Sequence, residues 1–335
     1  MTDRFPMPIP FGWFFVSYSS DLAPGDVKPV RYFSEDLVLY RTESGVAGLA
    51  EAYCPHLGAH LGKGGTVEGE TIRCPFHSWA FDLSGACKDI PYARIIPPAA
   101  RKPGCLKTYP ITETNGVVWA WHHPQGVAPM FEVEVLDEVS SPDWGEPIRY
   151  EWAFDSNPQE IAENGVDLAH FKYVHKMDAV PEGESHYEGH IRRSLAAGQR
   201  TMELPDGAVR TLNTEVRTLQ TGAGQKSTRF KGMADLLLQV LATPVEHDKV
   251  ELRFEFRHPK FPDGAPENEM IRRSIAGIIG QSGVEGDIPI WHTKIHRTRP
   301  LLCDGDGPVL RFREYFEQFY DFDRDPVAAA RVAAE

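Results

Sequence analysis

The amino-acid sequence predicts an α+β protein: an all-β N-terminal domain followed by a C-terminal domain that mixes an antiparallel sheet with helices. Three observations predict it. Residues from about Trp13 to His122 break into short β-rich runs separated by Pro-Gly, Ser-Gly and Asn-Gly turns. Beyond about Ile148 the runs change character, and stretches with helical spacing enter. Between the two, residues 124–147 are rich in Pro, Gly and acidic side chains without a clear period, as an interdomain connection is. A chain of 335 residues has room for two cores. The expected boundaries are a first domain over 8–123, a connection over 124–147 and a second domain over 148–325.

The first half reads as a small antiparallel sandwich. Val27–Phe33, Leu37–Tyr40, Val46–Tyr53, Thr71–Cys74 and Val117–Trp121 are β-rich and bounded by turns. Set among them is CPHLGAHLGKGGTVEGETIRCPFH, from Cys54 to His77. Cys54 and His56 form a C-x-H pair, and Cys74 and His77 a C-x-x-H pair. A Rieske [2Fe–2S] centre takes two thiolates on one iron and two imidazoles on the other. Two loops that each carry one Cys and one His supply that set. Zinc is the competing reading, but zinc fingers pair Cys with Cys and His with His along the chain, whereas each half here is mixed. Gly58, Gly62, Gly64 and Gly65 suit tight loop backbone around such a cluster. Trp121-His122-His123 ends a strand in a Pro-Gly-rich exit and is read as structural.

Composition narrows the class. With 41% apolar and 25% charged residues the chain is an ordinary globular one, and no apolar run is long enough to cross a bilayer. The start, MTDRFPMPIPFGWFF, is not a signal-peptide pattern. A net charge of −13 argues against a nucleic-acid partner and favours a basic docking protein. Five cysteines is an odd count. With Cys54 and Cys74 on iron, Cys87, Cys105 and Cys303 are expected as free thiols in a reducing cytoplasm.

In the second half, Ile148–Phe154 reads as a strand and Pro158–Val174 as one helical stretch. Val209–Leu219 and Val250–His258 alternate like strands, and Glu267–Ile279 reads as a helix packed on the sheet. Ala328–Glu335 is an Ala-rich tail. Within the helical stretch, Asn164, Asp167 and His170 are three apart and share one face, with His175 five beyond His170. Both imidazoles meet one ion only if the helix bends or ends between them. Alone, H-x-x-x-x-H is a weak signal. Two His and one carboxylate make the facial triad of non-haem Fe(II) oxygenases, with three coordination positions left open.

Both stretches resemble one family. Cys54–His77 resembles the Rieske motif of the ring-hydroxylating and related non-haem iron oxygenases. Asn164, Asp167, His170 and His175 resemble their N-x-x-D-x-x-H-x-x-x-x-H signature. Glu285-Gly286-Asp287-Ile288-Pro289-Ile290-Trp291 resembles the family segment in which an Asp precedes an apolar-aromatic helix start. That implies Asp287 as the third iron ligand, with Glu285 the alternative; Asp304 and Asp306 look like turn residues. From Asp287 through Lys294, Arg299, Asp306 and Phe312 to Tyr320 the chain looks like a steroid-acting branch. This branch includes the oxygenase component of 3-ketosteroid 9α-hydroxylase and the Neverland-type cholesterol 7-desaturases.

The resemblance implies a Rieske domain, a helix-grip domain with mononuclear Fe(II), a homotrimer and Asn164 near the iron. It further implies that O₂ and electrons are used to hydroxylate, or desaturate, an unactivated C–H bond of a steroid or sterol. The alternative is another apolar ring compound, with O-demethylation or aromatic hydroxylation. No G-x-G-x-x-G follows a strand, so NAD(P)H is expected to act only indirectly, through a separate reductase with or without a ferredoxin. Asp167 is expected to bridge a cluster His and an iron His between subunits by hydrogen bonds. A Rieske ferredoxin is the non-enzyme alternative; it would end near residue 125 and have no use for His170, His175 or Asp287. Respiratory-chain Rieske proteins add a Cys to each loop, where this chain has Ala59 and Phe76. They also use a Ser and a Tyr to hydrogen-bond cluster sulfurs, where Trp79 and Phe81 stand here.

Overall fold

The computed structural model describes residues 4–203, 207–231 and 235–322. The contacts divide the chain into two compact units, one of residues 13–130 and one of residues 4–12 with 131–322. The second unit therefore begins within the expected connection and also takes up the N-terminal residues. The expected Ala-rich tail, Ala328–Glu335, lies outside the described residues, as do residues 323–325 of the expected second domain.

The first unit is all β. Its strands are β1 (Gly12–Tyr18), β2 (Val27–Tyr32), β3 (Glu35–Arg41), β4 (Ala47–Glu51), β5 (Thr66–Glu68), β6 (Thr71–Arg73), β7 (Ala80–Asp82), β8 (Cys87–Asp89), β9 (Thr108–Tyr109), β10 (Ile111–Thr114) and β11 (Val117–His122). They form sheets in the orders β1-β11-β10, β2-β3-β4-β9 and β5-β6-β7-β8. Central strand β3 is buried on both faces. Val38 and Tyr40 enter a core with Leu61, Ile72, Phe81 and Leu106, while Leu37 and Leu39 fill the other side. The strands of the third sheet have three residues each, too few to stand alone, and Ile72 and Phe81 anchor them to that core. His122 is buried and stacked on Phe33, with ring centroids 4.4 Å apart, and burial pulls its pKa down to about 3. That makes it a neutral core histidine.

The second unit has a short helix α1 (Asp137–Ser140), strand β12 (Ile148–Asp155), and two short helices, α2 (Pro158–Glu163) and α3 (Ala169–Tyr173). Strands β13 (Glu182–Glu188), β14 (Ile191–Glu203), β15 (Val209–Thr221), β16 (Gln225–Lys231), β17 (Leu236–Glu246) and β18 (Lys249–Arg257) follow. Three helices end the described chain: α4 (Pro266–Ile279), α5 (Val284–Thr293) and α6 (Val309–Glu317). The seven strands make one antiparallel sheet in the order β12-β18-β17-β16-β15-β14-β13, a meander closed by β12 beside the last strand. Helix α4 starts with Pro266 at its first turn and buries Ile271, Ile275 and Ile279, spaced four apart on one face. These pack on Leu238, Leu252 and Phe256 of the sheet. Truncating one such isoleucine to Ala costs about 2–5 kcal/mol.

The expected single helix over Pro158–Val174 is not formed. Helix α2 ends at Glu163, residues 164–166 turn, and α3 begins at Ala169. Gly165 favours the break by its helix cost, and Arg192 Nη2 takes up its carbonyl at 2.7 Å, outside any helical ladder. Asn164, Asp167 and His170 consequently do not share one helix face. A turn brings them together instead.

Candidate metal centres and their cavity

Cys54 and Cys74 open two loops of the same backbone design. Cys54 N donates to Ala59 O and Gly58 N to Cys54 O, both at 2.9 Å; Cys74 N donates to Trp79 O at 2.9 Å and Ser78 N to Cys74 O at 3.0 Å. The fourth residue after each cysteine is left-handed, Gly58 at φ 74° and Ser78 at φ 58°. Glycine is the low-strain residue there, and Ser78 bears the strain in the second loop. Both cysteines are buried, and the backbone N–H groups of His56 and Leu57 point at the Cys54 sulfur. The histidines lie toward the surface, their rings 4.8 Å apart, with Leu57 and Phe76 beside them 65% and 62% exposed.

Two sulfurs inside and two imidazoles at the rim fit a binuclear cluster with unlike ends. His77 Nδ1 is enclosed and without a hydrogen-bond partner, a cost that a metal bond removes. Burial pushes the Cys54 thiol up to about 12, so a thiolate there calls for a metal cation. Trp79 stacks on His56 at 4.6 Å and donates its indole N–H to Tyr92 Oη, at 2.9 Å. Phe81 is a fully buried hydrocarbon. Neither is therefore available to hydrogen-bond a cluster sulfur. Reduction adds negative charge that such bonds would stabilise, so redox titration followed by EPR is expected to give a midpoint near the low Rieske limit, about −150 mV. A midpoint above about +100 mV would refute this.

The second set belongs to α3, the turn after it and α5. His170 Nε2 and His175 Nε2 lie 3.1 Å apart, and His175 Nε2 is 3.3 Å from Asp287 Oδ2. Their ligand atoms all fall within 4.8 Å of one another. His170 Nδ1 bonds to the Asp167 carbonyl, which fixes the tautomer and leaves a bare lone pair on Nε2. Helix α3 stops at Tyr173, and Lys176 is left-handed at φ 58°, so His175 turns back toward His170. Asp287 stands in the first turn of α5, where the helix dipole favours a carboxylate. Glu285 is on the same turn but accepts from Gln281 Nε2 on an exposed face. Asn164 Nδ2 donates to Asp287 Oδ2 at 3.0 Å and lies 3.1 Å from His170 Nε2.

Burial lowers the His170 pKa, which favours its neutral form, and the ligand atoms of His175 and Asp287 converge with its Nε2. A divalent cation satisfies that arrangement, and nitrogen-oxygen donors of this kind suit iron.

The α2–α3 turn is clamped from behind by residues of the C-terminal stretch. Glu163 takes a two-point ion pair from Arg313 of α6, at 2.7 and 2.9 Å. Glu160 holds Lys294 and His296, each at 2.6 Å. Tyr320 Oη donates to Gln159 Oε1 at 2.8 Å. Gly307 sits where a Cβ would come within 1.7 Å of the Val166 carbonyl, so no other residue fits without moving the turn. Burial by itself would raise the Glu160 pKa, but His296 and Lys294 outweigh it and hold it at about 2. Its stabilisation is thus in place above the usual 4.5 and is lost as pH falls toward 2. The roles of Arg192, Glu160 and Glu163 carry no motif in the sequence; only the tertiary contacts give them.

Beside the triad a cavity of about 1300 Å³, mouth included, opens over the sheet. Its walls are mainly apolar, with Ile161, Phe171, Leu238, Val240, Phe254 and Trp291 among them.

Proteins that join a Rieske cluster to a mononuclear iron held by two His and a carboxylate are the Rieske non-haem iron oxygenases, and comparison with known proteins places the chain in that class. Residues 12–110 match the Rieske [2Fe-2S] domain, and residues 120–320 match the 3-ketosteroid 9alpha-hydroxylase C-terminal domain, so the chain belongs to the latter family. A probable 3-ketosteroid-9-alpha-monooxygenase oxygenase component of Rhodococcus rhodochrous is 33% identical, over 92% of this chain and 79% of that protein. A cholesterol 7-desaturase of Bombyx mori is 30% identical, over 96% of this chain and 71% of that protein. The chain is thus an oxygenase component with a [2Fe–2S] cluster and a non-haem iron as its cofactors. Among solved structures, NdmA of Pseudomonas putida CBB5 with caffeine is similar in fold, with TM-score 0.73, 17% identity, and 94% of this chain and 90% of that chain covered. Dicamba monooxygenase with non-heme iron and dicamba gives TM-score 0.70 at 17% identity, covering 99% of this chain and 100% of that chain. No helix among the described residues is long and apolar enough to cross a membrane.

Proposed function

We propose that the protein is the terminal oxygenase of a multicomponent system that hydroxylates, or desaturates, an unactivated C–H bond of a steroid or sterol. The observation that carries this reading is the mainly apolar cavity bordered by His170, His175 and Asp287. The relatives' names give the substrate class, since they are 3-ketosteroid monooxygenases and cholesterol desaturases. His170, His175 and Asp287 would hold the iron, and Cys54, His56, Cys74 and His77 the cluster. Bound iron would supply oxygen activation, with electrons drawn through the cluster from a separate NAD(P)H-dependent reductase. The chain's own part is to position and to exclude. Asn164 keeps the Asp287 carboxylate aimed at the two imidazoles through its amide. Phe171, Ile161 and Trp291 keep water from the wall around them, and burial of an apolar ring system there contributes roughly 25 cal/mol per Å² to binding. O₂ uptake and product mass spectra across a steroid and sterol panel, with a surrogate reductase, test the reading. Uptake driven only by small aromatic acids or methyl ethers would overturn it.

Asp167 fits the role of electron bridge between subunits of a homotrimer. Its Oδ1 accepts from the His170 N–H at 3.4 Å, while Oδ2 makes no hydrogen bond among the described residues and can take a donor from another chain. Asp167→Asn is expected to keep both metals and slow turnover severalfold or more, because a charged acceptor is replaced by a neutral one. Unchanged single-turnover electron transfer from cluster to iron would remove the bridging role.

A further inference from the structure

The cavity is not apolar throughout. Strand register sets side chains in rows across the sheet, and one row runs Arg192, Gln220, Lys226, Val240 and Phe254 from β14 to β18. Alternation along β16 puts Lys226, Thr228 and Phe230 on one face, and all three line the cavity. The floor is therefore hydrocarbon over β17 and β18 and mixed over β15 and β16, where Thr218, Lys226 and Thr228 stand with Val216 and Phe230. In the polar part, Thr218 and Thr228 satisfy each other at 3.2 Å. Lys226 has no such partner: its ammonium makes no hydrogen bond and no ion pair with any described residue.

A half-buried cation that faces an apolar cavity is costly unless something answers it. Burial brings the Lys226 pKa down from 10.5 to about 8; Arg192 lowers it further and Asp287 opposes the fall. Arg192, the other end of the row, is fully buried and spends its donors on Ser185, Gln220 and Gly165 rather than on a carboxylate. Asp287 is the carboxylate whose charge acts on Lys226, and Glu215, which also lines the cavity, is paired with Arg217; neither touches the Lys226 ammonium.

We propose that Lys226 binds an acceptor oxygen of the substrate, a carboxylate or a ring carbonyl, and so sets which carbon of an apolar ring system faces the triad. This deepens the proposed function: the substrate class narrows to apolar ring compounds with one strong acceptor, and a plain hydrocarbon skeleton is disfavoured. The cavity's apolar part takes the rings, while Lys226 and the Thr218–Thr228 pair form the polar end.

The test is equilibrium binding to the metal-loaded enzyme without oxygen or reductant, so that nothing turns over. The probes are matched trios on one skeleton: the carboxylic acid, the ketone and the deoxy hydrocarbon. A steroid trio and a trio on an unrelated bicyclic skeleton are both run. Wild type is expected to hold an acceptor-bearing probe about tenfold or more tighter than its deoxy analogue, as a hydrogen bond to a charged group allows. K226M should erase that preference while keeping affinity for the deoxy probe, and K226R should retain part of it. Preference for the acid alone, or for the ketone alone, identifies the acceptor and supports the proposal. A preference seen only on the bicyclic trio, and lost in K226M, supports Lys226 and overturns the steroid reading. Should K226M lose all binding, K226Q, close in length and neutral, takes its place. Full discrimination persisting in K226M or K226Q, or none in wild type, overturns the proposal.

Discussion

His170→Ala, His175→Ala and Asp287→Ala are each expected to abolish turnover and mononuclear iron binding while leaving the Rieske EPR signal as in wild type. The three ligand atoms all lie within 4.8 Å of one another, and each comes from a different local device: an α3 side chain, a residue past its end, and the first turn of α5. Removing one leaves two donors, which do not fill a face of the metal. The loss should exceed the ~10–100-fold weakening that follows removal of a residue that only supports a ligand. Asn164→Ala falls in that smaller range, since Asn164 orients Asp287 by a hydrogen bond of 3.0 Å. The cluster loops have their own core and backbone pattern, so their spectrum reports that the first unit is intact. Metal analysis and EPR on the same preparations read both centres. Iron retained in Asp287→Ala but lost in Glu285→Ala would make Glu285 the ligand.

How much of this was legible in the sequence follows from distance along the chain. The cluster loops are local. Cys54 and His56 are held by a turn that closes within five residues, and the same turn recurs at Cys74, so spacing alone nearly describes them. Strands β2, β3, β11, β12 and β18 likewise lie close to where alternation and turn residues put them. The interruption between α2 and α3 was only half legible: Gly165 weakens a helix, but the bond from Arg192 of β14 to its carbonyl joins residues far apart in the chain. Helical spacing over Pro158–Val174 holds for each short helix, but period does not reveal a tertiary hydrogen bond that stops one. Lys226 was hidden for another reason. In QKSTRFK, a lysine reads as an outward residue of a polar strand. Only its shared face with Phe230 hints that it points inward, and the cavity settles the direction. The C-terminal residues Lys294 and Tyr320 carried a family likeness without a mechanism. The structure supplies one: they brace α2 through Glu160 and Gln159.

Arg313→Leu is expected to destabilise the second unit by about 3–5 kcal/mol, the cost of leaving a buried carboxylate without its cation. Glu163 is 6% exposed and is matched by both arms of the Arg313 guanidinium. Asn164 follows directly, so a shift of Glu163 to find water moves the amide that orients Asp287. The melting midpoint should fall by roughly 10 °C for a domain of this size, and iron should be held more weakly. Arg313→Lys should recover only part of the loss, because an ammonium cannot make the two parallel bonds. The double substitution Glu163→Leu with Arg313→Leu should be more stable than Arg313→Leu alone, since it removes the orphaned charge along with its partner. That ordering separates a buried ion pair from simple loss of packing, in which the double variant would be the worse of the two. A midpoint for Arg313→Leu within a degree or so of wild type would mean that the clamp on α2 resides in Glu160, Gln159 and Gly307 without it.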